Sequence, residues 1–156
     1  MAFVFRFLSR QSLGLLHRIG WLCGWLVYGL SPTYRRRLQE NARLAGVKPS
    51  CVRASIAAAG QMVLELPRLW IGPEVPVQWD GAELIDAALE SHQGVIFLTP
   101  HLGSFEVTAR AYAQRFGVAR APMTVLYRPA RQVWLRSIIE ASRRRPGLAT
   151  APANLA

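Results

Sequence analysis

His101 and Glu106 stand five residues apart just after an apolar run, and could act as a general base and its orienting carboxylate. A carboxylate that accepts one imidazole N–H fixes the tautomer and raises the basicity of the other ring nitrogen. That nitrogen can take a proton from a hydroxyl group, which typically accelerates a reaction by about 10²–10⁴-fold. The pair therefore predicts attack by a substrate hydroxyl. The same spacing also fits an ordinary loop histidine followed by a glutamate that a helix dipole favours.

The segments around this pair predict a strand that ends before the histidine and a helix that begins near the glutamate. Val95–Leu98 is a short apolar run bounded by glycine and proline, as expected of a buried strand. Ser104 is a suitable N-cap for a helix to about Phe116, and Gly103 lets the loop fold back. This edge of a sheet, where strands end and helices begin, is where α/β proteins place their sites.

The remaining pattern predicts an α/β fold, with a mostly parallel sheet and covering helices. Met123–Tyr127 is predicted to be a second strand and Arg131–Arg145 a second helix, whereas Val75–Trp79 could be a short strand. The tail Pro146–Ala156 has the composition of a loop. Three further helices are predicted, at residues 33–48, 50–70 and 83–91.

Residues 1–30 are predicted to anchor the chain to a membrane. Ile19–Leu30 is an uninterrupted apolar run with three aromatic residues, shorter than the roughly 20 residues of a comfortable span. The anchor could therefore span the bilayer or lie in its interface. No small-residue cleavage site follows the run, and residues 35–37 are arginines, which argues against a cleaved signal peptide.

The net charge of +10 is unevenly distributed along the chain. Residues 1–60 carry nine basic side chains and one acidic side chain. Residues 61–106 carry one basic and seven acidic side chains, and residues 107–156 carry nine basic side chains and one acidic. The two basic ends could attract nucleic acid or anionic lipid. The apolar N-terminal run favours lipid, so we predict a membrane partner and no nucleic acid. Two distant cysteines, Cys23 and Cys51, give neither a metal-binding spacing nor a disulfide framework.

Residues 94–106, GVIFLTPHLGSFE, resemble the signature of the lipid A biosynthesis lauroyl and myristoyl acyltransferases, a branch of the glycerolipid acyltransferase superfamily. That superfamily has His-x-x-x-x-Asp/Glu after an apolar strand, and this branch uses glutamate. The resemblance extends over nearly the whole chain, including the N-terminal anchor. Its further matches are Asn41, Glu65, Leu69-Trp70 and Tyr127-Arg128-Pro129.

The resemblance implies a mechanism that needs no cofactor, no metal and no covalent acyl-enzyme. His101 would deprotonate an acceptor hydroxyl while Glu106 orients it, and the hydroxyl would attack the thioester of an acyl carrier protein or acyl-CoA. Arg128 is the first candidate for binding acceptor phosphate or stabilising negative charge. Arg143 and Arg145 resemble the family's Arg-x-Arg and are further substrate-binding candidates, although Pro146 before Gly147 departs from its pattern.

The implied acceptor is a lipid A precursor, and the implied location is the cytoplasmic face of a bacterial inner membrane. An ornithine lipid or a lysophospholipid remains an alternative acceptor. An alternative class is a non-catalytic basic protein that binds membrane surfaces or nucleic acid. The resemblance also implies that residues 31–156 are the N-terminal part of an acyltransferase domain. We therefore expect an incomplete domain that is inactive by itself.

Overall fold

A computed structural model describes residues 2–100, 102–130 and 132–153. The chain divides into two compact units, residues 1–68 and residues 69–156. The predicted α/β class is confirmed in part, because the described residues form many helices but only one small parallel sheet. The predicted boundary after residue 30 separates a membrane anchor from the rest of the chain. It was based on membrane attachment, which the two compact units do not test, so it stays a prediction.

The first unit is built from helices α1 (Ala2–Ser9), α2 (Leu13–Leu30), α3 (Pro32–Leu44) and α4 (Pro49–Ile71), whose last three residues belong to the second unit. Serines set the boundaries of the helices. Ser12 accepts the Leu15 N–H at the start of α2, and Ser31 both ends α2 and caps α3. Proline at the first position of α3 costs no backbone hydrogen bond. The helices predicted over residues 33–48 and 50–70 are thereby confirmed with small shifts at their ends.

Helices α2 and α4 cross at glycines. A Cβ atom on Gly60 would lie 2.6 Å from the backbone nitrogen of Gly24 and would also meet the backbone of Gly20. Such close approach of two backbones is possible only where side chains are absent. Near the same crossing, His17 Nε2 lies 2.9 Å from Glu65 Oε2. Residues later in α2 contact residues earlier in α4, since His17 meets Glu65 whereas Gly24 meets Gly60. The two helices therefore run antiparallel.

This crossing gives a stability prediction with opposite outcomes at two glycines. Gly60→Ala is expected to lower the midpoint of thermal unfolding, because overpacking of this kind costs about 1–3 kcal/mol. Gly29→Ala in α2 is the matched control, since a Cβ atom there meets nothing within 4 Å. Its midpoint should be unchanged or slightly raised, because alanine is the better helix former. Circular dichroism of both variants in detergent measures the two midpoints. An equal rise of the midpoint in both variants would contradict the close contact of the two backbones at Gly60.

Helix α2 also carries an exposed apolar stripe, defined here as Leu15, Ile19, Leu22, Leu26 and Leu30. These residues recur at spacings of three and four, so they share one side of the helix. Within the described chain, α2 is the one helix long and apolar enough to cross a membrane, judged by length and composition alone. Its 18 residues rise about 27 Å, slightly less than the hydrocarbon thickness of a bilayer.

The second unit contains helices α5 (Ala82–Glu90) and α6 (Val107–Tyr112), a π-helical turn (Ala113–Gly117), strand β1 (Met123–Tyr127), helix α7 (Val133–Arg143) and strand β2 (Leu148–Pro152). Strands β1 and β2 are parallel, in a register that pairs Met123 with Leu148 and Tyr127 with Pro152. Helix α7 is the crossover that a parallel pair requires. The small apolar core of this unit contains Ala82, Tyr112 and Phe116.

Strand β2 starts at a close contact between two glycines. A Cβ atom on Gly117 would lie 2.6 Å from the carbonyl oxygen of Gly147, and Gly147 has a φ of +75°. That φ favours glycine over any other residue. The tail Pro146–Ala156 was predicted to be a loop, and this was wrong for Leu148–Pro152. A single β-branched residue and a terminal proline gave that segment no strand pattern, so its pairing with β1 is a tertiary effect.

The strands predicted before the His101 loop were also wrong. Val95–Leu98 has no regular secondary structure, and Ile96 and Leu98 are 90% and 92% exposed. Val75–Trp79 likewise lacks strand structure. An apolar run predicts burial, but a strand also needs a neighbour that completes its backbone hydrogen bonds. Within the described residues, the one strand ladder joins β1 to β2.

The helix predicted from Ser104 to Phe116 is shorter and irregular. Helix α6 begins only at Val107, whose N–H donates to the Ser104 carbonyl oxygen at 3.0 Å, so Ser104 lies in the preceding turn. Glu106 occupies the N-cap position without a side-chain capping bond. After Tyr112 the backbone widens into the π-helical turn, where Phe116 and Tyr112 pack at 5.4 Å between ring centroids.

Candidate functional site

The loop that was predicted to carry the catalytic pair turns sharply before α6. Gly103 has a φ of +57°, and its carbonyl oxygen accepts the Phe105 N–H at 2.9 Å. This turn delivers Glu106 to the N-terminal end of α6, where a carboxylate is favoured by the helix dipole. His101 lies outside the described residues, so its predicted pairing with Glu106 stays a prediction.

The carboxylate of Glu106 is held by two side chains from distant parts of the second unit. Trp70 Nε1 donates a hydrogen bond to Glu106 Oε2 at 3.2 Å. Arg143 Nη2 lies 3.7 Å from Glu106 Oε1. The carboxylate side chain is 19% exposed, so it is largely shielded from solvent. From the described residues, one contact reaches each oxygen, and two such contacts fix the plane of the carboxylate more firmly than a single contact would.

Arg143 lies in the last turn of α7 and is itself held in place. Its guanidinium carbon lies 4.9 Å from the centroid of the Tyr127 ring, at cation–π distance. Its Nη1 atom is buried and has no hydrogen-bond partner among the described residues. An unpaired guanidinium donor beside a carboxylate can bind one more anionic oxygen. Arg143, one of the predicted substrate-binding residues, therefore lies next to Glu106.

The other two predicted substrate-binding arginines are placed differently. Arg145 Nη1 lies 4.0 Å from Glu74 Oε1, and the same carboxylate oxygen lies 3.8 Å from Arg110 Nη2. Arg110 is buried and donates to the Leu69 carbonyl oxygen at 2.8 Å. Arg128 is exposed just after β1 and forms no ion pair with any described residue. The structure thus groups Arg143 with Glu106, and Arg145 with Glu74.

Sequence reasoning missed the contributions of Trp70 and Tyr127 to this site. Both lie in segments that match the family pattern, Leu69-Trp70 and Tyr127-Arg128-Pro129, but no chemistry was assigned to either aromatic side chain. Their contacts join residues 36 and 16 positions apart in the chain, which spacing cannot reveal. Across the described ranges, no group of three His, Cys, Asp or Glu side chains is arranged to hold a metal ion.

Comparison with known proteins identifies one family. The model of the bacterial lipid A biosynthesis acyltransferase family matches residues 9–155, which is nearly the whole chain. No curated protein and no solved structure matches the chain significantly. The match includes the apolar α2, the His101 loop, Glu106 and the three arginines.

Proposed function

The chain belongs to the bacterial lipid A biosynthesis acyltransferase family, and from that premise we propose that the protein expressed from its gene transfers a fatty acyl group from a thioester donor to a hydroxyl of a lipid A precursor. The family membership makes it a transferase that uses an acyl donor and a lipid acceptor. The choice of acyl carrier protein or acyl-CoA as donor, the hydroxyl acceptor and the catalytic residues belong to the proposal.

The observation that carries the proposal is the fixed carboxylate of Glu106. A general base needs an orienting partner that is itself immobile, because catalysis depends on geometry within a fraction of an ångström. Trp70 and Arg143 contact the two oxygens of Glu106 from two sides. The loop containing His101 ends at this carboxylate, five residues along the chain. We assign His101 as the base and Glu106 as the residue that orients it.

The proposed reaction proceeds through one tetrahedral intermediate. The acceptor hydroxyl loses its proton to His101 as its oxygen forms a bond to the thioester carbonyl carbon. The carbonyl oxygen becomes an oxyanion, and its collapse breaks the carbon–sulfur bond. The departing thiolate takes the proton back from the His101 imidazolium. The products are an ester and a thiol, and Glu106 stabilises the imidazolium between the two proton transfers.

The arginines are proposed to bind anionic oxygens. Arg143 presents a buried N–H beside Glu106 that has no partner among the described residues, and this position suits an acceptor phosphate or the oxyanion. Arg128, exposed after β1, and Arg145, near Glu74, are proposed as further contacts to acceptor phosphate. Guanidinium groups suit this role because their fork of donors matches phosphate oxygens.

The family is associated with membranes, and the chain has one apolar helix of near-spanning length. We propose that α2 and its apolar stripe attach the protein to the inner membrane, with the catalytic part facing the cytoplasm. In this orientation the site would meet a soluble thioester donor from the aqueous side and a lipid acceptor from the membrane side.

The test of the proposed function is an acyl-transfer assay with the protein expressed from its gene and solubilised in detergent. Acyl carrier protein thioester and acyl-CoA are each offered with a lipid A precursor, an ornithine lipid or a lysophospholipid. We expect transfer to the lipid A precursor to exceed transfer to the other acceptors. Selective acylation of an ornithine lipid or lysophospholipid would reassign the acceptor, and the absence of transfer in every combination would contradict the proposal.

Trp70→Phe is expected to lower kcat about tenfold while leaving KM nearly unchanged. The variant keeps the aromatic bulk but removes the N–H that holds Glu106, and a hydrogen bond to a charged group is worth about 1.5–3 kcal/mol. Trp79→Phe is the matched control, because Trp79 packs on Phe116 in the same unit. Steady-state kinetics of the two variants measure the effect. An equal fall in kcat for both would show general damage to the unit rather than loss of a positioning contact.

A further inference from the structure

Helices α2, α3 and α4 of the first unit leave a groove that the proposed chemistry does not use. Its volume is about 550 Å³, within the range of small-ligand sites. Trp25 and Tyr28 of α2 form one wall, and Val52 and Ile56 of α4 form another. The groove thus has largely apolar walls from α2 and α4, two helices that are already held together at glycines, and α3 supplies the rest of its helical lining.

Two arginines also line this groove. Arg43 lies in the last turn of α3 and Arg53 near the start of α4, and both are exposed. The residues that line the groove include no aspartate or glutamate. Nearby, Gln39 Nε2 donates to the Tyr28 hydroxyl at 2.9 Å, which gives the rim a polar edge. The lining therefore combines an apolar wall with a positively charged rim, and its charge complements an anionic amphiphile.

The groove is continuous with the side of α2 proposed to meet lipid. Leu22 belongs to the apolar stripe and is exposed, and Trp25 lines the groove three positions later. Residues three apart on a helix are surface neighbours. A lipid molecule in contact with the stripe could therefore reach the groove without leaving the apolar layer. Residues 1–60 carry nine basic side chains against one acid, so the unit also attracts anionic headgroups.

We propose that this groove binds one anionic glycerophospholipid of the bilayer. Its phosphate pairs with Arg43 and Arg53, and part of an acyl chain packs against Trp25, Val52 and Ile56. The bound lipid would fix the depth and tilt of the α2–α4 pair in the membrane. This inference rests on the membrane attachment proposed above, but not on acyl transfer, so the two can fail separately.

The test is native mass spectrometry of the protein in mild detergent, titrated with phosphatidylglycerol or phosphatidylcholine. We expect one tightly retained phosphatidylglycerol and little retained phosphatidylcholine. Arg43→Gln with Arg53→Gln should weaken retention by about tenfold or more, since each arginine contributes a charge-assisted hydrogen bond. Arg36→Gln with Arg37→Gln is the charge-matched control from α3, outside the groove lining, and should stay within about twofold of the parent.

A second variant separates shape from charge. Ala42→Phe places a ring in the groove without changing any charge, and it should also displace the lipid. Equal losses in the two arginine pairs, or equal retention of both lipids, would overturn the proposal. Displacement of the retained lipid by micromolar acyl-CoA would also overturn it, by assigning the groove to the donor. Selective lipid retention by a preparation without transferase activity would support this inference while contradicting the proposed function.

Discussion

Replacing His101 with alanine is expected to lower the rate of acyl transfer by about 10²–10⁴-fold, with membrane attachment unchanged. The physical reason is that an alcohol is a poor nucleophile until a base accepts its proton, and in this proposal the imidazole is that base. The measurement is initial velocity with a thioester donor and a lipid A precursor. Near-normal turnover by His101→Ala would remove the histidine from the mechanism.

Glu106 gives the matched comparison for this prediction. Glu106→Gln preserves the size of the side chain and an oxygen that can accept the Trp70 N–H, but it removes the charge that stabilises an imidazolium. We expect a large fall in rate for this variant too. The double variant, His101→Ala with Glu106→Gln, should be scarcely worse than His101→Ala, because residues that act as a unit are not additive. Multiplicative losses in the double variant would indicate two independent roles.

Replacing Leu22 and Leu26 with aspartate is expected to release the protein from membranes. Both leucines lie on the exposed apolar stripe of α2, so the substitutions leave the packing against α4 intact. Aspartate at the centre of a membrane helix costs about 2.5–3.5 kcal/mol, so two should oppose insertion by roughly 6 kcal/mol. The measurement is the fraction that sediments with vesicles in high salt, where electrostatic attachment is screened.

The control for charge places two aspartates at Thr33 and Asn41, both exposed on α3. This variant has the same net charge as the stripe variant, and it should sediment like the parent protein. Deletion of residues 1–30 would be a poorer test, because it also removes Gly20 and Gly24 from the crossing with α4, together with the buried Leu16. Unchanged sedimentation of the Leu22 and Leu26 variant would mean that another surface attaches the protein.

The sequence predicted the helices of this chain better than its strands. Helices carry their own backbone hydrogen bonds, so the helices predicted at residues 33–48 and 50–70 agree with α3 and α4 within about four residues at each end. A strand depends on a partner strand, which is often distant in the chain. The apolar run Val95–Leu98 therefore predicted a strand that is not there, whereas Leu148–Pro152 pairs with β1 despite a composition typical of a loop.

The candidate site likewise combines a short motif that the sequence reveals with contacts between residues that are far apart in the chain. The spacing of His101 and Glu106 is local, and a motif of six residues, together with the family resemblance, was enough to predict a base and its orienter. The residues that hold Glu106 come from the end of α4 and the end of α7, and only the folded chain brings them together. Arg143 was predicted to bind substrate, and its position beside Glu106 adds a reason why it could also stabilise the transition state.

The most direct test of acyl transfer to lipid A is mass spectrometry of lipid A from a bacterium that carries this gene. Four strains are compared: the parent, a deletion strain, the deletion strain expressing the unaltered gene, and the deletion strain expressing the His101→Ala variant at normal level. We predict that lipid A from the deletion strain lacks one fatty acyl group, that expression of the unaltered gene restores it, and that the His101→Ala variant does not. Identical lipid A from all four strains would contradict the proposal that this protein acylates a lipid A precursor through His101.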